Sequence, residues 1–300
     1  MPDDTNGLRR ATIARFSAGI IVTGILLAAP IVSPAHAADA STWDGEARAA
    51  VRLIAGSPAG DPTGAVRRAG LEIRLGPGWK TYWRYPGDSG VPPRFDFARS
   101  DNIDSVALSW PAPHGFSDEG GKSIGYKGGV IFPLRIVPKD PARPVVLRVD
   151  VDYAVCEKLC VPATAKVELA LDATVSPHDG ALAASEARVP RPVAIGQAGP
   201  LVIRSVTRAP GGKSGRIVVE IAAPETATVE LFAEGPTPDW ALPIPEPSGA
   251  SPTGSRLYAF EIDGVPPGAS ADGATLRLTA VSAAAAIEVT TRLDSSAAPD

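Results

Sequence analysis

The sequence predicts an all-β chain, an antiparallel β-sandwich followed by a second, smaller β-sandwich-like domain. Three observations lead there. Gly (30) and Pro (31) together fill 61 of 300 positions, which suits short strands joined by turns better than long helices. Apolar and polar residues alternate with period two in many short runs, as in half-buried strands. Between about Ser176 and Pro200 that alternation stops and Ala, Gly and Pro take over, as in a linker.

The N-terminus reads as an export signal. A basic region (Arg9, Arg10, Arg15) precedes an apolar run from Ala18 to Ala29, and Ala35-His36-Ala37 has the small-x-small pattern of a cleavage site. Residues 1–37 are therefore expected to be a signal peptide. The apolar run is too short for a spanning helix, which needs about 20 apolar residues. The mature chain is expected to have no membrane span.

From 38 to 175 the alternation defines the first domain. Leu71, Ile73 and Leu75 alternate with Glu72 and Arg74 before Gly76-Pro77-Gly78, and Val106, Leu108 and Trp110 alternate before Pro111. Gly128 to Val137 reads as another strand. The clearest runs from Val145 to Val155, with Val145, Leu147, Val149, Val151, Tyr153 and Val155 on one face and Arg148, Asp150 and Asp152 on the other. Val167, Leu169 and Leu171 repeat the pattern in 166–172. After the 176–200 linker, six strand-like runs (201–207, 216–222, 227–233, 257–262, 275–282 and 286–293) give a second domain over 201–294, with residues 295–300 as a tail.

Composition narrows the function. With 44% hydrophobic and 21% charged residues the chain is too apolar for disorder, and 29 basic against 33 acidic residues give a net charge of −4, without the footprint of a nucleic-acid binder. Ser89 lacks the context of a nucleophile elbow, and Gly120-Gly121-Lys122 lacks phosphate-loop spacing. A structural zinc site wants four ligands, and beside the two cysteines only His114 and His178 are on offer, so no metal is expected.

The chain has only two cysteines, Cys156 and Cys160, within Tyr153-Ala-Val-Cys-Glu-Lys-Leu-Cys-Val-Pro162. In an exported chain one reading is a structural disulfide. Closing a loop of about five residues, however, restricts the unfolded chain by only about 2 kcal/mol, against about 4.7 for a 100-residue loop. Continuing the alternation past Val155 also puts Cys156 on the Arg148/Asp150/Asp152 face, where a solvent-facing sulfur is open to attack. Neither a helix nor an extended strand brings residues i and i+4 within disulfide range, so the pair needs a turn between two strands. A permanent bridge in a non-enzymatic adaptor or binding protein and an exchangeable one both remain open on these grounds.

Four segments follow in order: Gly78-Trp-Lys-Thr-Tyr-Trp-Arg-Tyr-Pro-Gly-Asp-Ser-Gly-Val-Pro-Pro93, Trp110-Pro-Ala-Pro113, Asp118 to Leu134, and Tyr153 to Pro162. Together they resemble the N-terminal periplasmic domain of the thiol:disulfide interchange protein DsbD and its suppressor-of-copper-sensitivity relatives. The resemblance covers roughly residues 43–175. It implies an immunoglobulin-like sandwich in the periplasm whose cysteines exchange with periplasmic thiol-disulfide proteins, with no cofactor. By the same resemblance Cys160 forms the mixed disulfide and Cys156 resolves it, with Asp118, Glu119 and Tyr153 in support.

Three departures from the family pattern are visible. Three residues separate the cysteines instead of five, and Gly120-Gly121 stands where the family has an aromatic cap, so shielding is expected from Phe116 or Tyr126. The transmembrane and thioredoxin-like parts of full-length members have no counterpart, which implies a separate electron donor, in the membrane or thioredoxin-like. Trp79, Tyr82, Trp83 and Tyr85 read first as core and turn packing, and otherwise as a contact surface.

Overall fold

A computed structural model describes residues 38–58, 66–87, 90–118, 121–171, 175–209 and 215–293. The expected signal peptide, Glu119 and the 295–300 tail lie outside the described residues.

The first sandwich is built from eleven strands: β1 (Asp44–Gly45), β2 (Ala49–Gly56), β3 (Arg67–Leu75), β4 (Lys80–Gly87), β5 (Arg94–Asp96), β6 (Ile103–Leu108), β7 (His114–Asp118), β8 (Gly121–Lys127), β9 (Gly129–Pro138), β10 (Val146–Cys156) and β11 (Cys160–Ala170). One sheet runs β1-β2-β3-β9-β6, and the other runs β11-β10-β4-β8-β7 with β5 also on β10. All pairs in them are antiparallel. Side chains that alternate inward from both sheets meet in one core, including Leu71, Ile73, Phe132, Leu134, Leu147, Val149 and Val151. This is the face expected for the strand after Val145.

The 176–200 segment, expected as a linker, is ordered and carries a helix, α1 (Asp179–Ala187). Leu182 anchors it. Its methyl groups lie where a Cβ on Gly56 or Gly70 would come within 2.7 Å, so those two glycines open the sheet surface that receives it. Arg68, itself buried, donates through Nη1 to Asp179 at 2.9 Å and through Nε and Nη2 to Glu186, each at 2.8 Å. Past α1, β12 (Arg191–Pro192) pairs with the last strand of the chain.

The second sandwich consists of β13 (Val202–Ala209), β14 (Arg216–Ala222), β15 (Val229–Glu234), β16 (Glu246–Ala250), β17 (Arg256–Glu261), β18 (Thr275–Ser282) and β19 (Ala286–Arg292). Its sheets run β12-β19-β18-β15 and β13-β14-β17-β16. The buried residues of both sandwiches form one continuous cluster, in which Trp83 lies 6.0 Å from Phe232 between ring centres. The chain is nearly all β, with one helix among the described residues, none of which forms a helix long and apolar enough to cross a membrane.

Candidate functional site

β10 and β11 form an unbroken antiparallel ladder in which Cys156 faces Cys160 at its last rung. The three residues between them, Glu157, Lys158 and Leu159, make the turn that the spacing demanded, and all three are exposed. The directly opposed pair, with Cα atoms 4.2 Å apart, is joined as a disulfide. Leu159 at the tip is 79% exposed.

The two sulfurs differ in surroundings. Cys156 does lie on the face opposite the main core, but it is not open to solvent: it is 2% exposed, buried with Ala154 beneath the ring of Tyr82. This corrects the expectation of a solvent-facing Cys156. The parity argument identifies the face, but says nothing of an aromatic ring from the neighbouring strand lying across it. Cys160, at the start of β11, is exposed.

Tyr82 owes its place to β4, whose Lys80 and Thr81 pair with Cys156 and Val155. The Tyr82 hydroxyl is 2.7 Å from Cys156 Sγ and 3.1 Å from Cys160 Sγ. Neither sulfur of a disulfide carries a hydrogen, so the hydroxyl is the donor. Gly90 packs flat against the ring, and a Cβ there would sit 2.5 Å from the Tyr82 Cδ1 and Cε1 atoms. Any larger residue would push the ring off the sulfurs.

The aromatic shield expected from Phe116 or Tyr126 is therefore supplied by Tyr82. Tyr126 is buried in the main core, edge-on to Phe132 at 5.7 Å, and its hydroxyl donates to the Pro111 carbonyl at 2.8 Å. Burial raises its pKa well above the usual phenol range. Phe116 is half-buried on β7, with Lys127 Nζ 4.4 Å and Lys80 Nζ 5.9 Å from its ring centre. Lys80 is buried beside the site and donates to Ser123 Oγ at 3.0 Å.

Tyr153 lies three residues before Cys156 and so on the opposite face of the strand, in the main core. Burial, then the nearby Asp44 and Glu46 carboxylates, push its pKa up to about 12. Asp118 ends β7, opposite Gly121 of β8.

Tyr82 is the functional side chain that sequence reading passed over. Four aromatics crowd residues 79–85, and Trp83 and Tyr85 do serve the core. The available signal was parity: Tyr82 lies an even number of positions from Lys80, the residue opposite Cys156, and therefore shares its face.

Chemically, the arrangement joins an accessible sulfur to a buried one that faces a hydroxyl donor. A thiolate attacking Cys160 would expel Cys156 as a thiolate, and a donor already aimed at that sulfur stabilises the charge as it develops.

The family described as "Thiol:disulfide interchange protein DsbD, N-terminal" matches residues 50–172. Among solved structures, the N-terminal periplasmic domain of ScsB from Proteus mirabilis aligns at 20% identity with a TM-score of 0.66, over 86% of this chain and 99% of that one. At that identity the likeness establishes the fold, and its extent takes in both sandwiches. No curated protein sequence matches the chain. The part of the chain that is similar to the DsbD N-terminal family, residues 50–172, carries the cysteine pair at the tip of its last hairpin.

Proposed function

We propose that this is an exported, periplasmic thiol-disulfide exchange module that passes electrons between partner thiol proteins through Cys156 and Cys160. The observation that carries this reading is the asymmetry of the bridge, with Cys160 exposed and Cys156 held under the Tyr82 hydroxyl. A permanent staple has no use for one sulfur left open. The bridge also closes too short a loop to add more than about 2 kcal/mol.

The step balances as follows. A partner thiolate attacks Cys160 Sγ, the Cys156–Cys160 bond breaks, and Cys156 leaves as a thiolate while Cys160 joins the partner in a mixed disulfide. A second partner thiolate attacks the partner's sulfur in that bond, freeing Cys160 and carrying away a partner disulfide. Two electrons enter the chain, and the reverse sequence hands them on. No cofactor takes part.

The equilibrium potential of the couple in glutathione or dithiothreitol buffers tests the reading. A value between about −120 and −270 mV is expected, and one below about −300 mV would mark a structural bridge. Cys156→Ser should accumulate a mixed disulfide at Cys160, whereas Cys160→Ser should keep the fold and form none.

A further inference from the structure

We infer that the second sandwich is a working part of the disulfide site: it clamps β4 so that the Tyr82 hydroxyl stays on the sulfurs. This rests on the exchange function proposed above and assigns residues 201–293 a role in it.

The argument starts with what β4 lacks. Among the described residues it pairs with β10 at Lys80 and Thr81, and with β8 at Lys80, Thr81 and Tyr82, after which the register breaks until Gly87. Tyr82 is thus the last ladder position before a gap of four residues. A strand end released from its ladder frays, and a side chain at its margin moves with it.

The missing support comes from the other sandwich. Trp83 stacks toward Phe232. Arg84 reaches Glu234 through a two-pronged contact, Nε to Oε1 at 2.9 Å and Nη2 to Oε2 at 2.7 Å, and reaches Glu288 through Nη2 at 2.5 Å. All three side chains are less than one-fifth exposed. The Tyr85 hydroxyl lies 2.9 Å from the Trp240 carbonyl and 2.8 Å from that of Leu242.

Three consecutive residues of β4 are therefore held by β15, β19 and the 240–242 segment, directly after the residue that touches the disulfide. A planar guanidinium gripped at two edges fixes direction as well as distance, which an ammonium cannot do. Glu234, Glu288 and Arg84 act here as positioning residues, through Tyr82.

The test measures the rate at which dithiothreitol reduces the bridge of the full mature chain, followed by thiol trapping, in four variants. Tyr82→Phe removes the hydroxyl and is expected to slow reduction at least threefold. Arg84→Lys keeps the charge and loses the fork, and Tyr85→Phe loses the one hydroxyl hydrogen shared between the Trp240 and Leu242 carbonyls, at unchanged ring volume. Each is expected to slow reduction by a similar factor.

The deciding variant is Tyr82→Phe/Tyr85→Phe, which should be no slower than Tyr82→Phe alone, because the clamp acts only through the missing hydroxyl. Wild-type rates in folded Tyr85→Phe, or the same fractional slowing with and without the Tyr82 hydroxyl, would overturn the inference. Should Arg84→Lys fail to fold, Tyr85→Phe decides alone. A wild-type bridge that resists dithiothreitol would remove the exchange function itself, whereas a reducible bridge with clamp-insensitive rates would remove only the clamp.

Discussion

Tyr126 and Tyr82 sit on neighbouring strands, and their hydroxyls have different roles. That of Tyr126 satisfies the Pro111 carbonyl inside the core. Tyr126→Phe should therefore cost about 1 kcal/mol of stability, the usual net worth of one hydrogen bond, and leave the rate of disulfide reduction unchanged. Denaturant melts and thiol trapping on one preparation check both halves. A slowed reduction would return Tyr126 to the site. At this scale the sequence was informative about sulfur and poor about aromatics. Two cysteines four apart admit one intramolecular pairing, and the need for a turn follows from backbone geometry. Which of Tyr82, Phe116 and Tyr126 covers the bridge depends on strand order, since β4 lies beside β10 while β8 and β7 lie farther out.

Among the elements, α1 makes a pH-dependent contact through Asp179. Burial works against the Asp179 carboxylate, but hydrogen bonds from the Ser57 hydroxyl and amide and the charge of Arg68 outweigh it, and its pKa lies below the usual value. A carboxylate with a depressed folded-state pKa contributes stability that is complete above its unfolded value of about 3.9 and is lost as pH falls below it. Hydrogen exchange should show α1 protected and constant between about pH 5 and 8, then loosening below about pH 4 ahead of the sheets. Protection unchanged down to about pH 2 would refute this contribution. Strands were legible because alternation survives in a short window: the 216–222 and 275–282 runs coincide with β14 and β18. The helix was not. It is nine residues long and buries only Leu182 and Ser185, so no apolar stripe stands out, although Asp179 in its first turn and its run of alanines were faint signs.

For the whole molecule, the linear sequence conceals how the two sandwiches meet. Arg84 is 150 residues from Glu234 and 204 from Glu288, and no local pattern announces a pair so distant. With one continuous core and β12 tying the inter-sandwich segment into the last sheet, the mature chain should unfold as one cooperative unit. Calorimetry is expected to give a single transition with equal van't Hoff and calorimetric enthalpies. Two resolved transitions would show that the sandwiches are energetically independent.

β11 forms the outer border of its sheet, with Cys160 at its first position. Lys166 turns its amide away from β10 and gives it to the Asp44 carboxylate, so every second residue back from it, Thr164, Pro162 and Cys160, also faces outward. Proline has no amide hydrogen to offer, and it stands two residues from the exposed sulfur. A visiting chain would meet an interrupted row of donors, which disfavours its addition as a further strand. In the exchange proposed above, a partner's hold on this border would then rest on the sulfur bond, leaving little to delay departure or to seed edge-to-edge aggregation.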